Sequence, residues 1–238
     1  MAEKKRSGMI YFFGILSVVF SFALATPARA TLTLQVADGS NNVIVSVTDG
    51  GAGDIAPDTG AITYQNNFGS LTFNIESGLS KPIIGNILAP ELHLNSFFNT
   101  SGPIDFIIRL SDTDFSGTGL LPFLGTIGGL INPAGSTITL SLYRDLSNGL
   151  FGIGAANLIC TTGALTGSLG FSDACTNTVS VDDNYSLTIE AIVHELGRGD
   201  TSFDANIKDA PEPSAMLLLG IGLIGFGGWA RLGRKEAN

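Results

Sequence analysis

The chain has 238 residues, room for one domain or two small ones, with 31 glycines, only 14% charged residues and a formal net charge of −9. Between residues 31 and 214, five Lys and Arg stand against nineteen Asp and Glu, a net charge of −14. That balance excludes nucleic acid as a partner, because binding phosphates requires cations that displace counterions.

Residues 1–30 carry the three parts of a secretory signal peptide. Lys4, Lys5 and Arg6 form the positive start, and Gly8 to Ala25 form the apolar stretch. Pro27 then breaks the helix, and Ala28-Arg29-Ala30 supplies the small-x-small site for cleavage before Thr31. Export machinery and signal peptidase are the partners this segment implies. An uncleaved anchor is the competing reading, since the apolar stretch is near spanning length.

From residue 31 the pattern changes to period two. Leu32, Leu34 and Val36 alternate with polar neighbours, as do Val43, Val45 and Val47, then Leu71, Phe73 and Ile75. Ile104, Phe106, Ile108 and Leu110 follow, then Ile138, Leu140 and Leu142, then Leu187, Ile189, Ala191 and Val193. Clusters of Gly, Asn, Asp, Pro and Ser bound each run, as turn chemistry requires. One dry and one wet face per strand predicts antiparallel sheets, and an all-β sandwich over residues 31–208, with a jelly roll as the alternative. Residues 119–131 are apolar without clear alternation and read as a buried strand or a packed loop.

Cys160 and Cys175 are the only cysteines. In an exported chain they read as a disulfide, closing a loop of about fifteen residues and stabilising by roughly 3 kcal/mol. Two buried thiols or two metal ligands are the alternatives, the latter poor without a nearby histidine. His93 falls on the polar side of the alternation, and His194 sits beside Glu195 at a strand end. Neither accompanies a nucleophile elbow, a His-Glu-x-x-His helix or a cysteine nucleophile, so the domain is expected not to be an enzyme.

Asp112-x-Asp114-x-Ser116-Gly117 has the alternate oxygens and terminal glycine with which a calcium loop begins. The position of the bidentate Glu is held by Phe123, so the segment is not an EF-hand. A strand-ending turn, with Asp112, Asp114 and Ser116 capping their own backbone, is the other reading. Asp54 and Asp58 in the Gly-rich loop, and Asp182-Asp183, are similar candidates for the same ion. No other cofactor is indicated.

The last thirty residues, 209–238, fall into three parts. Pro211-Glu212-Pro213 cannot continue a helix or strand and gives an extended spacer. The uncharged run 215–230 is expected to be a transmembrane helix, about 24 Å long against a hydrocarbon core of about 30 Å. Arg231, Arg234 and Lys235 form a basic tail that the positive-inside bias retains in the cytoplasm. Gly220-x-Gly222-x-x-Gly225 matches a dinucleotide fingerprint by spelling only, because no strand precedes it and no acidic residue follows at the required distance.

The order of spacer, Leu/Gly-rich span and basic tail resembles the PEP-CTERM sorting domain. The resemblance implies recognition by an exosortase, a membrane protease that cuts near the Pro-Glu-Pro element, in bacteria that often make exopolysaccharide. It further implies a membrane-tethered precursor and then a cell-surface or matrix protein. The middle region resembles, more softly, the regions often attached to such tails, in Gly78-Leu79-Ser80-Lys81-Pro82, Leu110 to Phe115 and Thr201 to Ala205. The expected role is non-enzymatic, in adhesion or association with exopolysaccharide. The alternative is a ligand-binding module for glycan, calcium or ice, although Thr31-x-Thr33 and Thr137-x-Thr139 alone do not make an ice face.

Overall fold

The computed structural model describes residues 31–167, 170–210 and Ile221. The expected signal helix with Ala28 and Ala30 lies outside the described residues. So do Pro211, Glu212, Pro213, Arg231, Arg234 and Lys235, and the expected transmembrane helix apart from Ile221. Among the described residues no helix is long and apolar enough to cross a membrane.

Twelve strands follow in chain order: β1 (Thr33–Asp38), β2 (Val43–Thr48), β3 (Ala61–Phe68), β4 (Leu71–Leu79), β5 (Glu91–Ser101) and β6 (Ile104–Ser116). They continue as β7 (Gly119–Leu130), β8 (Thr137–Asp145), β9 (Leu158–Thr161), β10 (Phe171–Val181), β11 (Asn184–Glu195) and β12 (Arg198–Asp209), with one 3₁₀ turn at Ala155–Asn157. They form two six-stranded antiparallel sheets. The first has the order β2-β1-β6-β11-β8-β9, and the second β10-β7-β12-β5-β4-β3. The expected all-β antiparallel sandwich is what the chain forms.

Alternation explains the core. Leu34, Val36, Ile108, Leu110, Ile138, Leu140, Leu142, Leu187, Ile189, Ala191 and Val193 of the first sheet are all fully buried. They face Leu71, Phe73, Leu92, Leu94, Phe98, Phe123, Phe203, Ala205 and Ile207 of the second. Each such burial contributes about 1.5–3 kcal/mol for a large side chain. Phe73, Phe98 and Phe106 meet edge to face across the sheets, with ring centroids 4.9–6.2 Å apart. Gly78 and Gly125 point into this layer, where an added Cβ would collide with Leu110 and Leu142 respectively. The two sheets close on one another at those points because nothing projects.

The unalternating stretch resolves as the strand β7, whose inward residues are Phe123, Gly125 and Ile127. Its hydrophobicity spills onto the outer side at Leu120 and Leu130, which masks the period. The two edges β9 and β10 of opposite sheets are joined by the Cys160–Cys175 disulfide, Cα atoms 5.8 Å apart. The disulfide therefore staples one sheet to the other at their open side. At the end of β12 the backbone amides of Asp209 and Ala210 donate to the carbonyls of Pro90 and Pro122, at 3.3 and 2.8 Å.

Candidate functional site

Strands β5 and β12 lie at the centre of the second sheet, paired from Glu91–Lys208 to Ser101–Arg198. Their inward residues make core, so the pleat turns His93, Asn95, Phe97 and Asn99 outward on β5. On β12 it turns out Asp200, Ser202, Asp204 and Asn206. The outer face thus carries two rows of amides and carboxylates side by side. His93 Nε2 lies 2.7 Å from Asp204 Oδ2, and Asn206 Nδ2 donates to Glu91 Oε1 at 2.9 Å. Asn99 donates to Asp200 and accepts from Asn74 of β4.

Phe97 stands in the middle of this field and is 40% exposed. Its cross-strand neighbour is Ser202, which pairs in turn with the exposed Leu130 of β7. In the adjoining row Asn95 is opposite Asp204, and Asp204 opposite Gly128. An apolar ring is thereby surrounded by groups that both donate and accept hydrogen bonds. Amides and carboxylates can bind the paired hydroxyls of a polyol two at a time. The exposed ring offers an apolar surface to the CH faces between them.

The first sheet's outer face is built from the same pleat with a different outcome. Gln35, Arg109, Glu190 and Ser141 form one row across β1, β6, β11 and β8. Arg109 Nε donates to Glu190 Oε2 at 2.7 Å, Nη1 to Gln35 at 3.0 Å and Nη2 to Asn41 at 2.5 Å. Tyr143 donates to the other Glu190 oxygen at 3.1 Å, and burial beside that carboxylate raises its phenol above the usual range. The β1–β2 turn and residues 146–157 fold over this face. Phe151 N donates to Ser111 Oγ, and Ser186 Oγ to the Gly149 carbonyl. Arg109 and Glu190 are left only 4% exposed each.

The local structure differs from the sequence reading at one segment. β6 runs through Asp112, Asp114 and Ser116, so these residues lie in a strand that ends at Ser116 and not in a loop. Asp112 continues the inward alternation of Ile108 and Leu110 and is fully buried. Its Oδ2 accepts from Lys81 Nζ at 2.8 Å and Ser80 Oγ at 2.5 Å. Lys81 Nζ also donates to the Thr113 carbonyl and stands 3.6 Å from the Phe115 ring centroid. Asp114 sits at a bulge with φ of 62°, its carboxylate held by Asn148 and Thr113. Among the described residues no group of three or more His, Cys, Asp or Glu side chains is placed to hold a metal ion.

The other candidates are dispersed. Asp54 receives the amides of Gly50, Ala56 and Thr63, which makes it a turn-former. His194 pairs with Asp105 near the end of β11 in the first sheet, whereas His93 lies in the second. Missed by sequence reasoning are Glu76 and Glu195, inward-facing carboxyls that each have one hydroxyl partner (Ser96 and Thr201) and one unpartnered oxygen. Burial pushes both above the usual carboxylate range, Glu76 well above it. A β-bulge between Phe73 and Ile75 shifts the register of β4, and beyond it Glu76 faces inward.

No curated protein sequence matches the chain. Several solved β-proteins are similar at low level. A carbohydrate-binding module, TmCBM61, in complex with β-1,4-galactotriose has 12% identity over 66% of this chain and 87% of its own, with a TM-score of 0.30. The CBM36-1 domain of a multidomain xylanase from the hindgut metagenome of Trinervitermes trinervoides has 11% identity over 75% and 98%, with a TM-score of 0.29. A family 35 carbohydrate-binding module from Clostridium thermocellum has 6% identity over 73% and 96%, also with a TM-score of 0.29. These scores are too low to carry a ligand from one protein to the other. The tail is different, because residues 209–235 match the family described as the PEP-CTERM protein-sorting motif. The chain carries a PEP-CTERM signal behind an antiparallel β-sandwich, and that signal implies export to the cell surface with processing by exosortase-type machinery.

Proposed function

We propose that the protein is a non-enzymatic surface or matrix protein whose sandwich binds an extracellular polysaccharide through the outer face of the second sheet. The observation that carries this reading is the exposed Phe97 set among Asn95, Asn99, Asp200, Asp204 and His93. The outward residues of β5 and β12 are partly or fully exposed along both strands, which suits a polymer lying across them better than a small molecule needing a concave pocket. The net charge of −14 between residues 31 and 214 favours a neutral polymer over an anionic one. Both cysteines are committed to the disulfide, which removes a thiol nucleophile. Each histidine is paired with a carboxylate on the solvent-facing side of its strand. The PEP-CTERM segment supplies delivery, first as a membrane-tethered precursor and then as a product cut near Pro211.

Affinity electrophoresis of the purified protein in gels containing neutral polysaccharides tests the binding. At least one polymer should retard it, and Phe97→Ala and Asp204→Ala should each restore free migration. Retardation by none of them sinks the reading, and equal retardation of both variants places the site elsewhere. Cell fractionation tests delivery: replacing Pro211-Glu212-Pro213 should convert a shortened surface product into a full-length membrane form.

A further inference from the structure

The loop between β4 and β5 contains Pro82-Ile83-Ile84-Gly85-Asn86-Ile87-Leu88-Ala89-Pro90, nine residues without a charge. It is a built loop. The amides of Ile83 and Ile84 donate to the Ser80 carbonyl at 3.0 Å, and Asn86 Oδ1 accepts from the amides of Leu88 and Ala89 at 2.8 and 3.0 Å. The Ser116 amide donates to the Ile87 carbonyl at 2.7 Å and ties the loop to the end of β6. This ordered backbone holds aliphatic side chains in water: Ile83 is 44% exposed, Ile87 52% and Leu88 68%. Leu120, at the start of β7 and the same end of the sandwich, is also 68% exposed. A turn needs none of these residues, and apolar side chains left in water forgo about 25 cal/mol per Å² of burial. A rigid, uncharged, aliphatic loop marks a contact surface.

Its place in the fold says what it contacts. The end of β12 lies between this loop and the start of β7, with Asp209 N on the Pro90 carbonyl and Ala210 N on the Pro122 carbonyl. Only residues 211–214 separate that point from the uncharged run that begins at Ala215. Four residues reach at most about 14 Å when fully extended. The end that bears Ile83, Ile87, Leu88 and Leu120 is therefore the end nearest whatever holds the run 215–230.

We infer that this loop, with Leu120 beside it, seats on the lipid surface of the membrane that holds the apolar tail. This rests on the reading of residues 215–230 as a membrane span. Contact is by apolar insertion and not by charge. Lys81 is turned inward onto Asp112, and the charged groups at this end are mainly acidic: Glu91, Asp182, Asp183 and Asp209, against the cations Lys208 and Arg144, the latter donating to the Ser180 carbonyl opposite Leu120. Zwitterionic headgroups suit such an end better than anionic ones. Seating would hold the Pro211–Pro213 spacer at the bilayer surface, within reach of a membrane-embedded protease.

The test uses the full chain reconstituted into phosphatidylcholine vesicles with brominated acyl chains. Trp229 is the only tryptophan and reports the span itself. An environment-sensitive fluorophore on Leu88→Cys reports the loop, and the same fluorophore on Ser101→Cys reports the far end of β5. Both positions are exposed, so labelling leaves the core untouched. Trp229 and the label at 88 should both lose most of their emission, and the label at 101 should keep it. Anionic phosphatidylglycerol vesicles should quench the label at 88 less. Quenched Trp229 with a label at 88 as bright as that at 101 overturns the seating and leaves the span standing. A label at 88 shielded from water yet unquenched by bromine shows a protein cover instead and also overturns it. Unquenched Trp229 removes the span and the seating with it.

Discussion

The outer faces of the two sheets are built alike and end differently. Each carries a side-chain pair between two neighbouring central strands, Arg109–Glu190 on β6 and β11, His93–Asp204 on β5 and β12. The first is covered by the β1–β2 turn and residues 146–157 and is nearly dry. The second pair has 28% and 57% of its side-chain surface in contact with water. A covered polar row must satisfy itself and becomes part of the scaffold, and an uncovered one keeps hydrogen-bonding capacity for a ligand. On the proposed function, the first face is scaffold and the second is the recognition surface.

The strongest way to break that assignment is at Arg109. Arg109→Met leaves Glu190 buried without its guanidinium, and should lower stability by about 3–5 kcal/mol in urea unfolding. Arg109→Met with Glu190→Leu should recover much of the loss, because the orphaned charge is then gone. Loss below about 1 kcal/mol for the single variant would mean that the face is wetter than its geometry. Next in size is the staple between the sheets. Cys160→Ala with Cys175→Ala should reduce stability by about 3 kcal/mol, since a fifteen-residue loop is released in the unfolded chain and the edges β9 and β10 lose their link. Matching unfolding midpoints for the oxidised and double-variant proteins would remove the disulfide from the scaffold.

The interior offers a finer contrast between a paired and an unpaired carboxyl. Glu190 has Arg109, whereas Glu76 has only Ser96 Oγ at 2.6 Å and one oxygen with no partner. Burial holds the Glu76 proton well above the ordinary carboxyl value of 4.5. A folded-state value raised in this way stabilises fully below the unfolded value and loses that contribution as pH rises through the folded one. Stability should therefore fall as pH climbs from about 4.5, and Glu76→Gln should flatten that part of the profile. Glu195, raised for the same reason, should leave a smaller residual slope. A profile identical in Glu76→Gln would show that water reaches the carboxyl.

Much of this architecture is legible in the sequence, and where it is not the cause is physical. Ile138–Leu142 and Leu187–Val193 alternate because each has one dry face. β10 escapes notice because it is an edge strand exposed on both sides along most of its length, so no period is imposed on it. Extending the alternation Ile108–Leu110 by two residues would have turned Asp112 inward, and its position before Gly117 suggested a loop instead. The outward setting of His93 is readable from its neighbours Leu92 and Leu94. Its partner Asp204 is 111 residues away, and the adjacency of β5 and β12 is a property of sheet order that local pattern does not encode.

The smallest effect on stability, and the sharpest test of the division between faces, belongs to the open one. Asp204 is mostly exposed and Phe97 is 40% exposed, so truncating either removes much less than at Arg109. Asp204→Ala should shift unfolding by no more than about 0.5 kcal/mol and Phe97→Ala by about 1 kcal/mol. Each should weaken polysaccharide binding by about tenfold or more, equivalent to about 1.4 kcal/mol. His93→Ala should fall between them and the wild type, because it removes a group that orients Asp204 and leaves the carboxylate in place. Stability losses at Phe97 as large as those at Arg109 would make the second face scaffold as well, and the recognition surface would then have to be sought at the loop ends.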